Sequence, residues 1–173
     1  EEAWDNGYKD LIPANQYNVD YSLLGTSRVE GLLRAIRLGM DGAGMEVESA
    51  KGECNLGQHE IAFRFTNALT TADQHVIYKL GAKEIASDQG MSLTFMAKFN
   101  EREGNSCHIH LSVRGLNDEA VMADDKDPQG LSELAKSFMA GQLKYMREMT
   151  LFFAPNINSY KRYVEGSFAP TAM

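Results

Sequence analysis

Helix-spaced and strand-spaced apolar residues alternate irregularly along this chain, without the regular strand–helix–strand order of a doubly wound sheet. That ordering constrains its fold more than any other feature. Ser27 and Glu30 have the spacing of a capping box, and Val29, Leu32, Leu33, Ile36 and Met40 follow at helical spacing until "GAG" at 42–44 stops them. "MEVESAKGECNLG" reads as a strand and loop, and "HEIAFRFT" alternates like a strand. "LTTADQHVIYKLGAKEIASDQG" predicts a second helix. Thr70 or Thr71 would cap it, Val76, Ile77, Leu80 and Ile85 would form its inner face, and Gly90 would end it. Gly81 inside that helix costs about 1 kcal/mol relative to alanine, so a close packing contact is expected there. "MSLTFMAKF" reads as a strand that pairs with "CHIHLSV", and "LNDEAVMADDKDPQG" as an exposed acidic loop. A long amphipathic helix carrying Leu134, Phe138, Leu143 and Met146 is expected from 131 to about 149, before a turn-rich closing segment. The first two dozen residues read as irregular with one short strand. The sum is α+β, a largely antiparallel sheet with flanking helices, and 173 residues suffice for one such domain.

Composition excludes several partners. Apolar content of 43% and charged content of 24% are those of a soluble globular protein. A net charge of −7, with scattered basic residues, argues against nucleic acid or an anionic membrane as the main partner. No apolar run approaches a membrane span, and "MTLFFA" reads as a core segment. Cys54 and Cys107 lie far apart and form no CxxC pair, which suits reduced thiols in a cytoplasmic protein. No signal peptide is visible, although the chain opens on Glu1 rather than Met, which weakens that reading.

"EGNSCHIHLSV" spends two of four histidines side by side. On a strand His108, His110 and Ser112 share one face, while Ile109, Leu111 and Val113 share the other, the natural core side. Spacing alone leaves both surface polarity and a metal site open for the histidines. Glu53 and Glu60 flank the tight segment "CNLGQH", which can fold two carboxylates back toward one point. Two carboxylates with an imidazole suit Mg²⁺ or Mn²⁺, whereas a thiolate zinc site lacks paired cysteines. On spacing alone, a solvated strand edge is still the narrowly preferred account of the glutamates. His59 and His75 have no obvious partner, and Lys161 with Arg162 reads as a solvated basic pair.

"GECNLGQHEIAFRF", then "KEIASDQGMSLTFMAKFNEREGNSCHIHLS", then "NSYKR" resemble, in order across residues 46–170, the catalytic domain of the glutamine synthetase family. The resemblance implies an ATP-dependent ligase. In that chemistry the γ-carboxylate of glutamate attacks ATP to give γ-glutamyl phosphate, and an amine then displaces phosphate, with divalent metals neutralising charge. It implies that Glu53 and Glu60 bind one Mg²⁺ or Mn²⁺ and His108 a second. His110 would meet the ATP phosphates, Ser112 the nucleotide, and Glu48 and Phe65 the ribose and adenine. Strand alternation puts Phe65 opposite Glu60, so a bulge or twist is expected between them. Glu103 and Gly104 would hold the substrate glutamate, and Arg162 would act as the catalytic contact to substrate and transferring phosphoryl group, work suited to a guanidinium.

Two departures qualify the resemblance. In the family's ammonia-using members the flap carries a glutamate just before Ala-Pro, where "YVEGSFAPT" has Phe168. Phenylalanine excludes water but cannot accept a proton, and Glu165 would need a different loop path to replace the glutamate. An aromatic wall implies an organic amine or polyamine acceptor, as in relatives that γ-glutamylate polyamines or ethanolamine. Ammonia is the alternative, and a non-catalytic or regulatory relative is a third reading; a simple metal-binding module leaves Arg162 unexplained. The family's N-terminal domain, a preceding Glu-x-Glu strand and a following Arg/Glu-rich segment have no counterpart here. Residues 1–173 are therefore expected to form a partial catalytic domain, inactive alone, whose full-length parent is a cytoplasmic homo-oligomeric ring with sites between subunits.

Overall fold

Ser22, rather than Ser27, nucleates the first helical structure after the N-terminal segment. The computed structural model describes residues 2–17 and 20–169. A turn, α1 (Glu2–Asp5), precedes α2 (Leu23–Ser27), whose N-cap Ser22 accepts from Gly25 N at 3.1 Å. Ser27 ends that turn by donating to Leu23 O at 2.8 Å, so the expected capping box does not form. Glu30 instead opens α3 (Glu30–Gly42) and pairs with Arg37 at 2.5 Å. The short strand expected near 17–27 is absent from the described part, and residues 18 and 19 lie outside it.

Leu33, Ile36 and Met40 form the buried stripe of α3, as their spacing predicts. The helix ends in a Schellman turn: Gly44 has φ 81°, and Met45 N donates to Met40 O at 2.9 Å. The long helix α4 (Ala68–Asp88) ends identically at Gly90, with Met91 N bonded to Ala86 O at 2.9 Å. Its cap is neither expected threonine but Asn67, which accepts from Thr70 N at 3.0 Å.

Size rather than hydrophobicity selects the inner face of α4. Ala82 and Ala86 are fully buried, with Tyr78 and Ile85 beside them, whereas Val76, Ile77 and Leu80 are exposed, correcting the expectation for those three. Small residues let α3 and α4 approach closely. A Cβ at Gly81 would stand 2.9 Å from Met40 Cε, and one at Gly39 3.0 Å from Ile85 Cδ1. The close contact anticipated at Gly81 is therefore with Met40.

β1 (Val47–Gly52) and β2 (His59–Phe63) pair antiparallel, with Gly52 opposite His59 and Lys51 opposite Glu60. The register slips between Val47 and Ser49, leaving Glu48 as a bulge residue. Val47, Ile61 and Phe63 close over Ile36, Met40, Met45 and Ala82, with Leu93 and Phe95 joining them. The fold is α+β with an antiparallel sheet, as the pattern predicts, but this two-stranded sheet is the only one among the described residues.

The segments 91–99 and 107–113 were expected to pair as strands and form no ladder there. A period-two pattern chooses a face, but a strand also needs a backbone partner at ladder distance. Asn105 ties the end of the first segment to the start of the second, its N bonding Ala97 O and its Nδ2 bonding Met96 O, both at 2.8 Å. The expected amphipathic helix is α5 (Glu133–Phe153), capped by Ser132. Of its residues only Ala135 is buried; Leu134, Leu143 and Met146 are exposed, as are Leu151 to Phe153, so of "MTLFFA" Ala154 is buried while the three large side chains before it stay outside the core. That stripe faces outward among the described residues. A last turn, α6 (Ile157–Tyr160), leads into the closing loop.

Candidate active site

The β1–β2 loop satisfies its own backbone and so holds Glu53 and Glu60 in place. Glu53 N donates to Gln58 O at 3.0 Å, Gln58 N to Asn55 O at 3.0 Å, Asn55 N to Gln58 Oε1 at 3.0 Å, and Leu56 N to Asn55 Oδ1 at 2.7 Å. The two carboxylates converge. Burial pushes the Glu53 carboxyl above its ordinary value and the neighbouring Glu60 adds to the rise. Glu53 Oε1 is buried without a hydrogen-bond partner, while Glu60 takes Lys51 Nζ at 3.0 Å. A paired, partly buried carboxylate with an orphaned oxygen fits a hard divalent cation, which would satisfy that oxygen and relieve the repulsion. Glu53 and Glu60 would hold it, and when bound it would neutralise phosphate charge. Asp20 and Cys54, which sequence reasoning did not single out, also stand here: ligand atoms of Asp20, Glu53 and Cys54 lie within 4.8 Å of one another.

The histidine segment is placed differently from the expectation. His108, His110 and Ser112 are exposed, but so are Ile109 and Leu111, so neither face of 107–113 packs on this chain's core. The missing ladder is the reason. One link to the carboxylates is visible at Tyr78, which lies edge-on between Phe63 and Phe95 with centroids 4.9 and 5.4 Å away. Its phenol is pushed up to about 12, by burial first and then by Cys107 and Glu60 in the same direction.

Glu48, the bulge residue, faces an open cleft of about 420 Å³ lined also by Arg37, Asp41 and Glu46. Phe65 lies past the end of β2, 85% exposed and outside that lining. The bulge expected between Glu60 and Phe65 thus falls in the partner strand instead, and strand alternation does not extend to Phe65.

The same loop grips residues 103–105. Asn55 is fully buried; its Nδ2 donates to Asn100 Oδ1 at 3.0 Å and to Glu103 O. Gln58 Nε2 donates to Gly104 O at 3.0 Å and to Asn105 Oδ1 at 2.8 Å. Gly104 in turn lies against Arg162, where a Cβ would overlap Ala97 O and Arg162 Cδ and stand 3.0 Å from Arg162 Nε. Arg162 is buried beside an exposed Lys161, which overturns the solvated-pair reading. Its Nη2 donates to Ser106 Oγ at 3.3 Å, its Nη1 to Ser167, and its Nε has no partner. Asn158 anchors this segment, its Oδ1 accepting from Lys98 N at 2.8 Å and its Nδ2 donating to Lys98 O at 2.7 Å. Sequence reasoning passed over Asn55, Gln58, Ser106, Asn158 and Ser167. The available signal was two amides in a loop too tight to satisfy its backbone alone.

A continuous path of contacts thus runs from Glu53 and Glu60 through 103–105 to Arg162 and Ser167. Phe168 follows at φ 62° and is 79% exposed. With a divalent cation on the carboxylate pair, such a layout could hold an anion between that cation and the buried guanidinium.

Comparison with known proteins gives the family. The family model described as glutamine synthetase, catalytic domain, matches residues 5–173. The chain is 64% identical to γ-glutamylethanolamide synthetase GlnA4 of Streptomyces coelicolor, over all of this chain and 37% of that protein. It is 37% identical to a glutamate–isopropylamine ligase of a Pseudomonas species, over 94% of this chain and 36% of that protein. The glutamine synthetase of Methanocaldococcus jannaschii is also 37% identical, over 97% of this chain and 35% of its own length. The chain therefore spans little more than a third of the relatives it matches. Among solved structures, GmaS without ligand superposes with TM-score 0.80 at 31% identity, covering 86% of this chain and 35% of that one. A GmaS/ADP complex gives 0.81 at 29% identity, covering 95% and 37%. The chain belongs to the glutamine synthetase family and carries sequence of its catalytic domain.

Proposed function

We propose that the full-length protein is an ATP-dependent glutamate–amine ligase that works through γ-glutamyl phosphate and takes an organic amine, ethanolamine or a polyamine among the candidates, as acceptor. The observation that carries this reading is the contact path from the Glu53–Glu60 pair through Gly104 to Arg162. Relatives with 64% and 37% identity that are named as amine ligases support the acceptor class.

In this reading Glu53 and Glu60 hold one Mg²⁺ or Mn²⁺, and His108 serves a second. His110 and Ser112 meet the ATP phosphates and nucleotide, with Glu48 and Phe65 toward ribose and adenine. The Glu103 carboxylate and the Gly104 backbone receive the substrate glutamate. Arg162 binds oxyanions of the substrate and transferring phosphoryl group, which a permanently charged guanidinium stabilises most where water is excluded. Phe168 lines the acceptor side and keeps water from the acyl phosphate.

The chain itself forms part of one catalytic domain, and the full-length protein works as a homo-oligomeric ring in the cytoplasm. No described helix is long and apolar enough to cross a membrane. Ammonia as acceptor is the second reading, favoured by the 37% identity to a glutamine synthetase and by Glu165 three residues before Phe168.

Phosphate release by the full-length protein tests the reaction class. Release that requires glutamate, ATP and Mg²⁺ or Mn²⁺ together supports it. Release indifferent to glutamate contradicts it.

A further inference from the structure

Ser167 fastens the loop that bears Phe168 to Arg162. Arg162 Nη1 donates to Ser167 O at 2.5 Å and to Ser167 Oγ at 3.0 Å. The Ser167 hydroxyl lies against Val164 O at 2.5 Å and Arg162 O at 3.3 Å, which closes the loop on itself. A guanidinium carries five N–H donors in a rigid fork. Both Nη1 bonds are spent on Ser167 and Nη2 reaches Ser106, while Nε is left buried and unpartnered.

Backbone bonds from Ser167 N to Val164 O at 3.1 Å and from Val164 N to Arg162 O at 2.9 Å form the turn, and Arg162 joins it to Ser106 and Gly104. Gly166 and Phe168 take φ of 76° and 62°, and a bulky side chain enters that left-handed region only where the surroundings force it. Phe168 is exposed and has no packing of its own to do so. Beyond that backbone turn, the grip of Arg162 on Ser167 holds its place.

We propose that Ser167 is a positioning residue that makes Arg162 and Phe168 one mechanical unit. The group that binds the substrate oxyanion and the wall on the acceptor side then shift together. Nη1 stays on the loop, and the Nε and Nη2 donors remain for the oxyanion. Only the kinetic arm of the test rests on the ligase reading; the coupling itself is a property of the loop.

The test uses the full-length protein with S167A, which removes the hydroxyl, and S167T, which keeps it. Chymotrypsin cleavage after Tyr163 or Phe168 is expected to be about tenfold faster or more in S167A, the worth of one hydrogen bond from a charged donor, and unchanged in S167T. R162K, which lacks the fork, is expected to speed cleavage as well, with no further gain on adding S167A. In the kinetic arm S167A raises the glutamate KM and narrows the preference between large and small amines together, and S167T restores both. Cleavage of S167A at the wild-type rate, or additive effects of R162K and S167A, would overturn the proposal. So would a glutamate KM that moves while amine preference stays fixed. If the wild type shows no glutamate-dependent turnover, the ligase reading fails and the cleavage rates alone decide the coupling.

Discussion

Gly104 and Arg162 are in such close contact that no side chain fits between them: a Cβ at Gly104 would overlap Arg162 Cδ and Ala97 O. The glycine is what allows the guanidinium to lie buried against the 103–105 segment. G104A must push Arg162 or Ala97 aside, an overpacking that costs about 1–3 kcal/mol. The expected outcome is a lowered Tm with glutamate-dependent phosphate release reduced by more than tenfold. Unchanged stability and glutamate KM in G104A would separate the contact from function.

Glu53 offers a pH test. Burial and then Glu60 raise its carboxyl above the ordinary 4.5, so the folded state holds this proton more tightly than the unfolded chain does. Its contribution to stability is therefore fully present below 4.5 and is lost as pH rises through the elevated folded value. E53Q is expected to stabilise the metal-free protein at neutral pH relative to wild type, and to abolish most of the Tm gain from Mn²⁺. Calorimetry across pH, with and without Mn²⁺, checks both. A Mn²⁺ gain of equal size in E53Q would remove Glu53 from the metal site.

His59 shifts the opposite way. Burial lowers its imidazole below the ordinary 6.5, so protonation favours the unfolded chain. The stability it contributes is present above 6.5 and lost as pH falls through the lowered folded value. H59Q is expected to show a flatter stability curve across that acid window. Denaturant melts of the two proteins at a series of pH values read the difference, and parallel curves would refute it.

Asn55 links the carboxylate loop to the 103–105 segment. N55A leaves Glu103 O and the loop backbone without their partners, so it is expected to lose about 1–3 kcal/mol of stability. Amide hydrogen exchange at Gly104 and Asn105 should speed up in the same variant. Protected amides at those two positions would mean that the segment is held by other contacts.

What was legible in the sequence was local. The α3 stripe, the Gly44 and Gly90 stops and the small contact at Gly81 follow from spacing and turn chemistry, while the convergence of Glu53 with Glu60 was one of two readings the spacing allowed. What was not legible needed a partner far along the chain. Hydrophobicity alone nominated Val76, Ile77 and Leu80, while helix approach at Gly39 and Gly81 turned the alanine face inward. Alternation nominated 107–113 as a strand, but it has no ladder partner among the described residues. Arg162 read as a surface cation because nothing in "NSYKR" announces that Gly104 and Ser106 lie against it from nearly sixty residues earlier.

The most direct test of the central claim is a competition for the acceptor. The full-length protein would receive ATP, Mg²⁺ and glutamate with equal concentrations of ammonium and ethanolamine, or a polyamine in place of ethanolamine, and mass spectrometry would identify the product. The γ-glutamyl amide of the organic amine is the result this account predicts. Glutamine as the dominant product would contradict it, and Phe168 would then not be the wall that selects an amine.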